Sequence, residues 1–264
     1  MNIIVCMKQV PDTEAQIRVK PDGSGIIDSD IKFVINPYDE YGVEEALKFK
    51  EKFGGTVTIV CVGPARAVEA IRTGLAMGAD KAVHLDDPAF EGGDAFSTAK
   101  ALASAIKGME CDLIFCGKQA IDDDLSMVGS SLAEMLEIPQ VSIVTKVEVA
   151  DDQKSAKVNR QIVGGEEILD VPLPAVLTAQ KGLNEPRYAS LPGIMKAKKK
   201  EIKSVKVTDL GLDANSVGAA GAKTRIIKMY SPPSREASKM IEGETAEETA
   251  PKLAKLLREE AKVI

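Results

Sequence analysis

The chain has 264 residues, 44% hydrophobic and 28% charged, which suits one large or two small globular domains with a real core and excludes a disordered polymer. Its formal net charge of −6 argues against a general nucleic-acid binder, which would gain affinity by neutralising phosphates, so any basic patch must be local. Four cysteines, Cys6, Cys61, Cys111 and Cys116, form no CxxC pair, read as buried free thiols and fit a reducing compartment.

The amino terminus, MNIIVCMKQV, lacks a cationic region followed by a long apolar stretch, and no window approaches the roughly 18 apolar residues of a membrane span. The expectation is a cytoplasmic chain with no membrane insertion. NIIVCMK (2–8) reads as the first strand, and a helix follows over 40–53, where Val43, Ala46, Leu47 and Lys50 keep helical spacing. TVTIVCVG (56–63) and KAVHLDD (81–87) read as the second and third strands, followed by helices over 65–77 and 94–107. CDLIFCG (111–117) is the fourth, and the helix over 126–137 carries Val128, Leu132, Met135 and Leu136 on one face. Strands alternating with helices of this length predict a three-layer αβα fold on a mostly parallel sheet covered on both sides, of the Rossmann-like or flavodoxin-like kind.

After Pro139 the pattern changes. VSIVTKVEVA, SAKVNRQIVGG, EEILDVPL and PAVLTAQ read as antiparallel additions at the sheet edge or as a small β layer. From residue 183 regular periodicity is lost until ETAEETAPKLAKLLREEAKVI. That helix opens with Thr245 and Glu248 in capping-box spacing and carries Leu253, Leu256 and Leu257 as a stripe despite Pro251. The Gly-, Ser- and Pro-rich stretch before it suggests an extended arm whose terminal helix packs on a partner. The expected organisation is a nucleotide-binding domain over 1–182, a partner-recognition loop over 183–202, and an arm with its helix over 203–264.

In an open α/β sheet, ligands collect at the carboxyl ends of the strands, where the amides of the next helix face anions. KQVPDTE, VGPARA and GKQAIDDDLSMVG leave the first, second and fourth strands. In the last, Gly117 permits a tight exit, and Ser126 to Gly129 open a helix whose first amides suit a phosphate. The run Asp122, Asp123, Asp124 is by itself equally a solvated cap, or in principle a Mg ligand set without supporting spacing. Neither GxxxxGK[ST] nor a GxGxxG after a strand is present. His84 lies in a strand pattern and reads as structural, with no HExxH, GxSxG or Cys/His pairing beside it. No catalytic or metal-ligating residue is assigned, which fits a binding or electron-carrier subunit better than a self-sufficient enzyme.

INPYDEYGVEEALKFKEK, IRTGLAMGAD, GKQAIDDD and LNEPRYASLPGIMKAKKKEI, in that order, resemble the β subunit of electron-transfer flavoprotein, over essentially the whole chain. The resemblance implies a heterodimer in which the α subunit makes most FAD contacts and the β subunit binds AMP. It also implies electrons arriving from acyl-CoA dehydrogenases and leaving to a membrane quinone oxidoreductase. By the same resemblance the cofactor-binding residues are Cys6, Asn36, Pro37, Tyr38, Asp39 and Val62, with Gly117, Lys118, Gln119, Ala120, Ile121, Asp122, Asp123, Asp124, Leu125, Ser126, Met127 and Val128 in the fourth loop; Tyr38 is the residue placed nearest the flavin ring. Leu191 is the implied anchor for the dehydrogenase, with Pro192, Ile194, Met195, Lys196 and Lys199 around it, and Lys196, Lys198, Lys199 and Lys200 steering acidic surfaces.

Two departures matter. Ser126, Met127 and Val128 stand where AMP-binding relatives carry N-Q-T, so Ser126 or backbone amides must face the phosphate. Electron-bifurcating relatives, which oxidise NADH and hold a second FAD instead of AMP, share Val128 and Gly129 but differ at Asp123 and Leu125. The form of the 183–202 segment favours AMP. A stand-alone regulatory nucleotide-binding module is the third reading, opposed by the long arm and its apolar tail helix.

Overall fold

The β-branched runs do become strands, and their alternation with helices builds the predicted layers. In the computed structural model, which describes residues 1–233 and 238–264, β1 (Asn2–Cys6) leads into a short antiparallel ribbon of β2 (Gln9–Pro11) and β3 (Phe33–Ile35). α1 (Pro37–Phe53), β4 (Thr56–Val62), α2 (Val68–Met77), β5 (Lys81–Leu85), α3 (Ala95–Ile106), β6 (Leu113–Gly117) and α4 (Val128–Leu136) follow. β1 pairs in parallel with β4 on one side and β6 on the other, Val5 lying opposite Ile59 and Phe115. Successive strand residues face opposite ways, so Ile3 and Val5 pack with Val43, Leu47, Ile71 and Leu75 of α1 and α2, while Ile4 and Cys6 pack with Leu102 and Leu132 of α3 and α4.

β7 (Gln140–Val149), β8 (Ser155–Ile162), β9 (Gly165–Pro172) and β10 (Ala175–Ala179) complete one side of the sheet. Only β8 and β9 are antiparallel additions. β10 inserts between β6 and β7, parallel to both, which corrects the expectation that PAVLTAQ is an antiparallel addition at the sheet edge or part of a small β layer. The physical reason is cover: all five residues of β10 are buried, and only an interior strand flanked by helices has both faces covered.

The 183–202 segment is also more ordered than its pattern suggests. α5 (Leu191–Ala197) packs beside α2, and β11 (Ile202–Val205) joins the edge of the sheet in parallel with β5. The nine-stranded order is therefore β11-β5-β4-β1-β6-β10-β7-β8-β9. Val205, Val207 and Val217 are buried, so residues 203–228 lie with the body, and α6 (Gly218–Gly221) is a single turn there.

Chain contacts divide the molecule into Met1–Lys228 and Met229–Ile264. The second unit contains α7 (Ala246–Glu259), which includes Pro251. Its capping box does not form: the Thr245 side chain caps nothing, and the Glu248 carboxylate accepts from the Glu244 amide at 3.3 Å. Residues 234–237 of the expected arm lie outside the described residues. Among the described residues no helix is long and apolar enough to cross a membrane.

Candidate functional site

A cavity of about 720 Å³ opens at the carboxyl ends of β1, β4, β5 and β6. This is where connections leave β1 and β6 toward opposite sides of the sheet, the position at which open α/β sheets bind ligands. Cys6 and Cys116, at the ends of the paired strands β1 and β6, line it; the neighbouring Cys116 thiol and then burial push the Cys6 thiol well up, so Cys6 does not read as a nucleophile. The cysteines are free, and burial likewise holds Cys61 and Cys111 at about 12. His84 is buried with Nε2 2.9 Å from the Gly63 carbonyl, a structural role at the exit of β4.

The first turn of α1 organises one wall. Asp39 is buried and accepts from the amides of Lys8 at 2.7 Å and Gly117 at 2.9 Å and from the Asn36 side chain at 3.0 Å. Burial pushes its carboxyl up to about 7, against the pull of those donors. Asn36 also donates to the Gln119 carbonyl at 2.8 Å and accepts from the Ile121 amide at 3.2 Å, so it staples the loop after β6 to α1. Lys8 extends the staple, its ammonium 2.8 Å from Asp122 and 2.9 Å from Asp123. Gly117 is obligatory in this packing, because a Cβ there would stand 2.3 Å from Asp39 Oδ1 and 2.8 Å from the Tyr38 Cβ. Asp124 and Ser126 adopt left-handed backbone at φ 52° and 54°, a strained path into α4.

The cavity is electrostatically two-ended. Met127, the residue at the N-cap of α4, makes no side-chain cap, so the first amides of α4, beside the cavity-lining Ser126, Met127 and Val128, suit an anion. Toward the β5 end, Asp86, Asp87, Glu91 and Asp94 line the cavity; Asp87 is engaged by the Ala89 and Val207 amides, which leaves Asp86 and Glu91 as the carboxylates that repel an anion and accept from hydroxyl or amino groups. The α3 terminus is already satisfied: Asp94 caps Ser97 at 2.9 Å and takes the Lys223 and Thr224 amides at 2.6 and 2.9 Å. Burial opposes its ionisation, yet these donors hold its carboxyl at about 2. An elongated ligand with an anion at one end and hydroxyl or amino groups at the other matches this donor set.

Residues 24–210 match the electron transfer flavoprotein domain family. The chain is 44% identical to the electron transfer flavoprotein subunit beta of Bacillus subtilis over the full length of both, and 42% identical to that of Homo sapiens over 98% of each. The chain belongs to the electron transfer flavoprotein β-subunit family. It is also 40% identical, over 98% of each chain, to the caffeyl-CoA reductase-Etf complex subunit CarD of Acetobacterium woodii. Members of the electron transfer flavoprotein family are electron carriers rather than classical enzymes.

Within this β subunit the structure gathers many of the sequence-picked residues into one cavity: Cys6, Asn36, Asp39, Val62, Gly117, Lys118, Gln119, Ala120, Asp123, Leu125, Ser126, Met127 and Val128 line it. Pro37, Tyr38, Ile121, Asp122 and Asp124 do not. Pro37 opens α1, where its missing N–H costs nothing, and Tyr38 has the Lys118 ammonium 5.0 Å from its ring centre. Sequence reasoning overlooked the exit of β5. Asp86, Asp87, Pro88 and Phe90 line the cavity, and the Gly92-Gly93-Asp94 run before α3 was the available signal.

On the second site, α5 displays Leu191 (73% exposed), Ile194 and Met195, with Pro192, Lys196 and Lys199 also exposed. Lys200 is a correction: it turns inward and donates to the Leu75 and Ala79 carbonyls at 3.0 and 2.5 Å, closing the end of α2, so it is not a steering charge.

Proposed function

We propose that this chain is the β subunit of a heterodimeric flavoprotein that holds AMP in the β1/β4/β5/β6 cavity and docks acyl-CoA dehydrogenases through α5. The observation that carries the nucleotide reading is the two-ended cavity, with uncapped α4 amides at its β6 end and Asp86 and Glu91 at its β5 end. The α4 amides and Ser126 hold the phosphate, the acidic wall accepts from ribose and adenine, and Cys6 and Val62 supply apolar cover.

FAD, shared with the α subunit and lying beside Tyr38, supplies when bound a group that takes electrons one at a time. Residues of this chain do no acid–base chemistry in that role. They provide a rigid base, a wall for the flavin and a grip on the donor, and separating the grip from the redox centre raises the local concentration of the mobile flavin near each donor. Electrons leave to a membrane quinone oxidoreductase. The arm beyond the body, ending in α7, packs on the α subunit, and its exposed Leu253 belongs to that contact.

Denaturing the purified heterodimer and counting released cofactors tests the reading. One FAD and one AMP per pair is the expected result. Two FAD and no AMP would replace it with the NADH-oxidising, bifurcating reading that Val128 and Gly129 favour.

A further inference from the structure

α5 has seven residues, too few to hold a helix by backbone bonds alone, yet it carries the exposed Leu191, Ile194 and Met195. Ser190 caps it through the Gly193 amide at 3.1 Å and Pro192 sits in its first turn, and beyond these local aids two arginines clamp it from both sides.

On the amino-terminal side, Arg187 grips α1. Its guanidinium holds Glu44 with both arms, Nε to Oε2 at 2.8 Å and Nη2 to Oε1 at 2.9 Å, its own amide donates to Glu44 Oε2 at 3.1 Å, and Nη1 reaches Glu51 at 2.5 Å. Glu44 is buried to 6% exposure, a placement for a carboxylate that is tolerable only because the fork of Arg187 meets it. Asn184 adds a bond to the Tyr41 carbonyl at 2.9 Å and another to Glu45 at 2.9 Å.

On the carboxyl-terminal side the clamp is reciprocal. Arg72 of α2 donates to the carbonyls of Ala197 and Lys200 at 2.6 and 2.7 Å, closing the end of α5, while Lys200 closes the end of α2. Between the clamps, Gly193 lets α5 lie against α2 so closely that a Cβ would stand 2.5 Å from the Ala76 carbonyl.

We propose that Arg187 and Arg72 are positioning residues that fix α5 before it meets its partner, so that the electron donor binds a preformed apolar knob. This rests on the reading of α5 as the docking element. A preordered helix spares the complex the entropy of ordering it on contact, which sets the donor's affinity without touching electron transfer itself.

The test uses the assembled heterodimer with an acyl-CoA dehydrogenase as donor, comparing wild type with Arg187→Gln, Arg187→Lys, the milder Glu51→Gln, Arg72→Gln and Leu191→Ala. Arg187→Gln is expected to raise the KM for the donor about ten-fold with kcat and cofactor content unchanged, and to speed amide hydrogen exchange across 188–197. Arg187→Lys should recover only part of the loss, because an ammonium cannot hold both carboxylate oxygens. Arg72→Gln should raise KM in the same sense, and Glu51→Gln should raise it less while leaving the buried Glu44 contact whole, so a folding failure of one variant does not remove the test. An impaired Leu191→Ala beside an unchanged Arg187→Gln would overturn the positioning role alone. Wild-type kinetics in Leu191→Ala would overturn the docking reading, and the positioning role with it.

Discussion

Replacing Asp39 by Asn separates the two forces acting on that carboxyl, since it keeps the shape and removes the titration. In the wild type Oδ1 takes Gly117 and Asn36 while Oδ2 takes the Lys8 amide. An amide nitrogen in place of either oxygen points a donor at a donor, which destabilises by about 1–3 kcal/mol, whereas a protonated acid still accepts through its hydroxyl oxygen. The pH dependence runs the other way. Burial raises the folded pKa from 3.8 to about 7, so the folded chain binds the extra proton, and the group's stabilising contribution is complete below about pH 4 and lost as pH rises through about 7. At ~1.4 kcal/mol per pH unit that loss is on the order of 4 kcal/mol across the window. The expected result is that Asp39→Asn is less stable than wild type near pH 4, with the gap closing and reversing by about pH 8. Urea midpoints of both heterodimers at one fixed concentration, in half-unit pH steps, measure it. A gap that stays constant or widens with pH would mean that the three N–H donors outweigh burial and that the carboxylate is ionised throughout.

Gly117→Ala should lower stability by about 1–3 kcal/mol and reduce retained nucleotide, because the new methyl forces Asp39 and the loop after β6 apart; retention of stoichiometric nucleotide after gel filtration would count against this. Leu191→Ala should raise the KM for a donor dehydrogenase about ten-fold while FAD and AMP content stay intact, read in steady-state transfer assays. Lys200→Met should lower the thermal midpoint by a few degrees, since two carbonyls at the end of α2 lose their donor, and leave the salt dependence of transfer unchanged. Substituting Lys196 and Lys199 by Gln should do the reverse, flattening the salt dependence with no change in midpoint.

The layers, the strand alternation and three of the four cavity loops were legible because they rest on local periodicity and on turn residues such as Gly117. Strand order was not. Nothing in AVLTA states which strands it lies between, although an apolar run with no polar alternation was a sign of double-sided cover, in contrast to the alternation of SAKVNRQI in β8. α5 escapes the periodicity reading because it is short and much of its anchoring comes from residues far away in the sequence, Arg72 at its end and Glu44 and Glu51 as the partners of Arg187. Asn36 and Asp39 line the cavity, but their polar atoms are largely engaged in holding the loop after β6 to α1, a role that the sequence pattern does not reveal. Lys200 was grouped with its neighbours because a run of like charges reads as one solvated face, and only packing reveals which member turns inward.

The insertion of β10 between β6 and β7 has a kinetic meaning. During synthesis the strands from β1 to β6 can assemble as soon as they emerge, but the flank of β6 stays an open edge until residues 175–179 arrive from far along the chain. That nascent half-sheet is the species most exposed to aggregation and to chaperone capture. α5 is the next element after the strand that closes that edge, and β11 follows it onto the far edge of the sheet. A chain that has made α5 has therefore closed the flank of β6, and only the β5 edge still waits for β11.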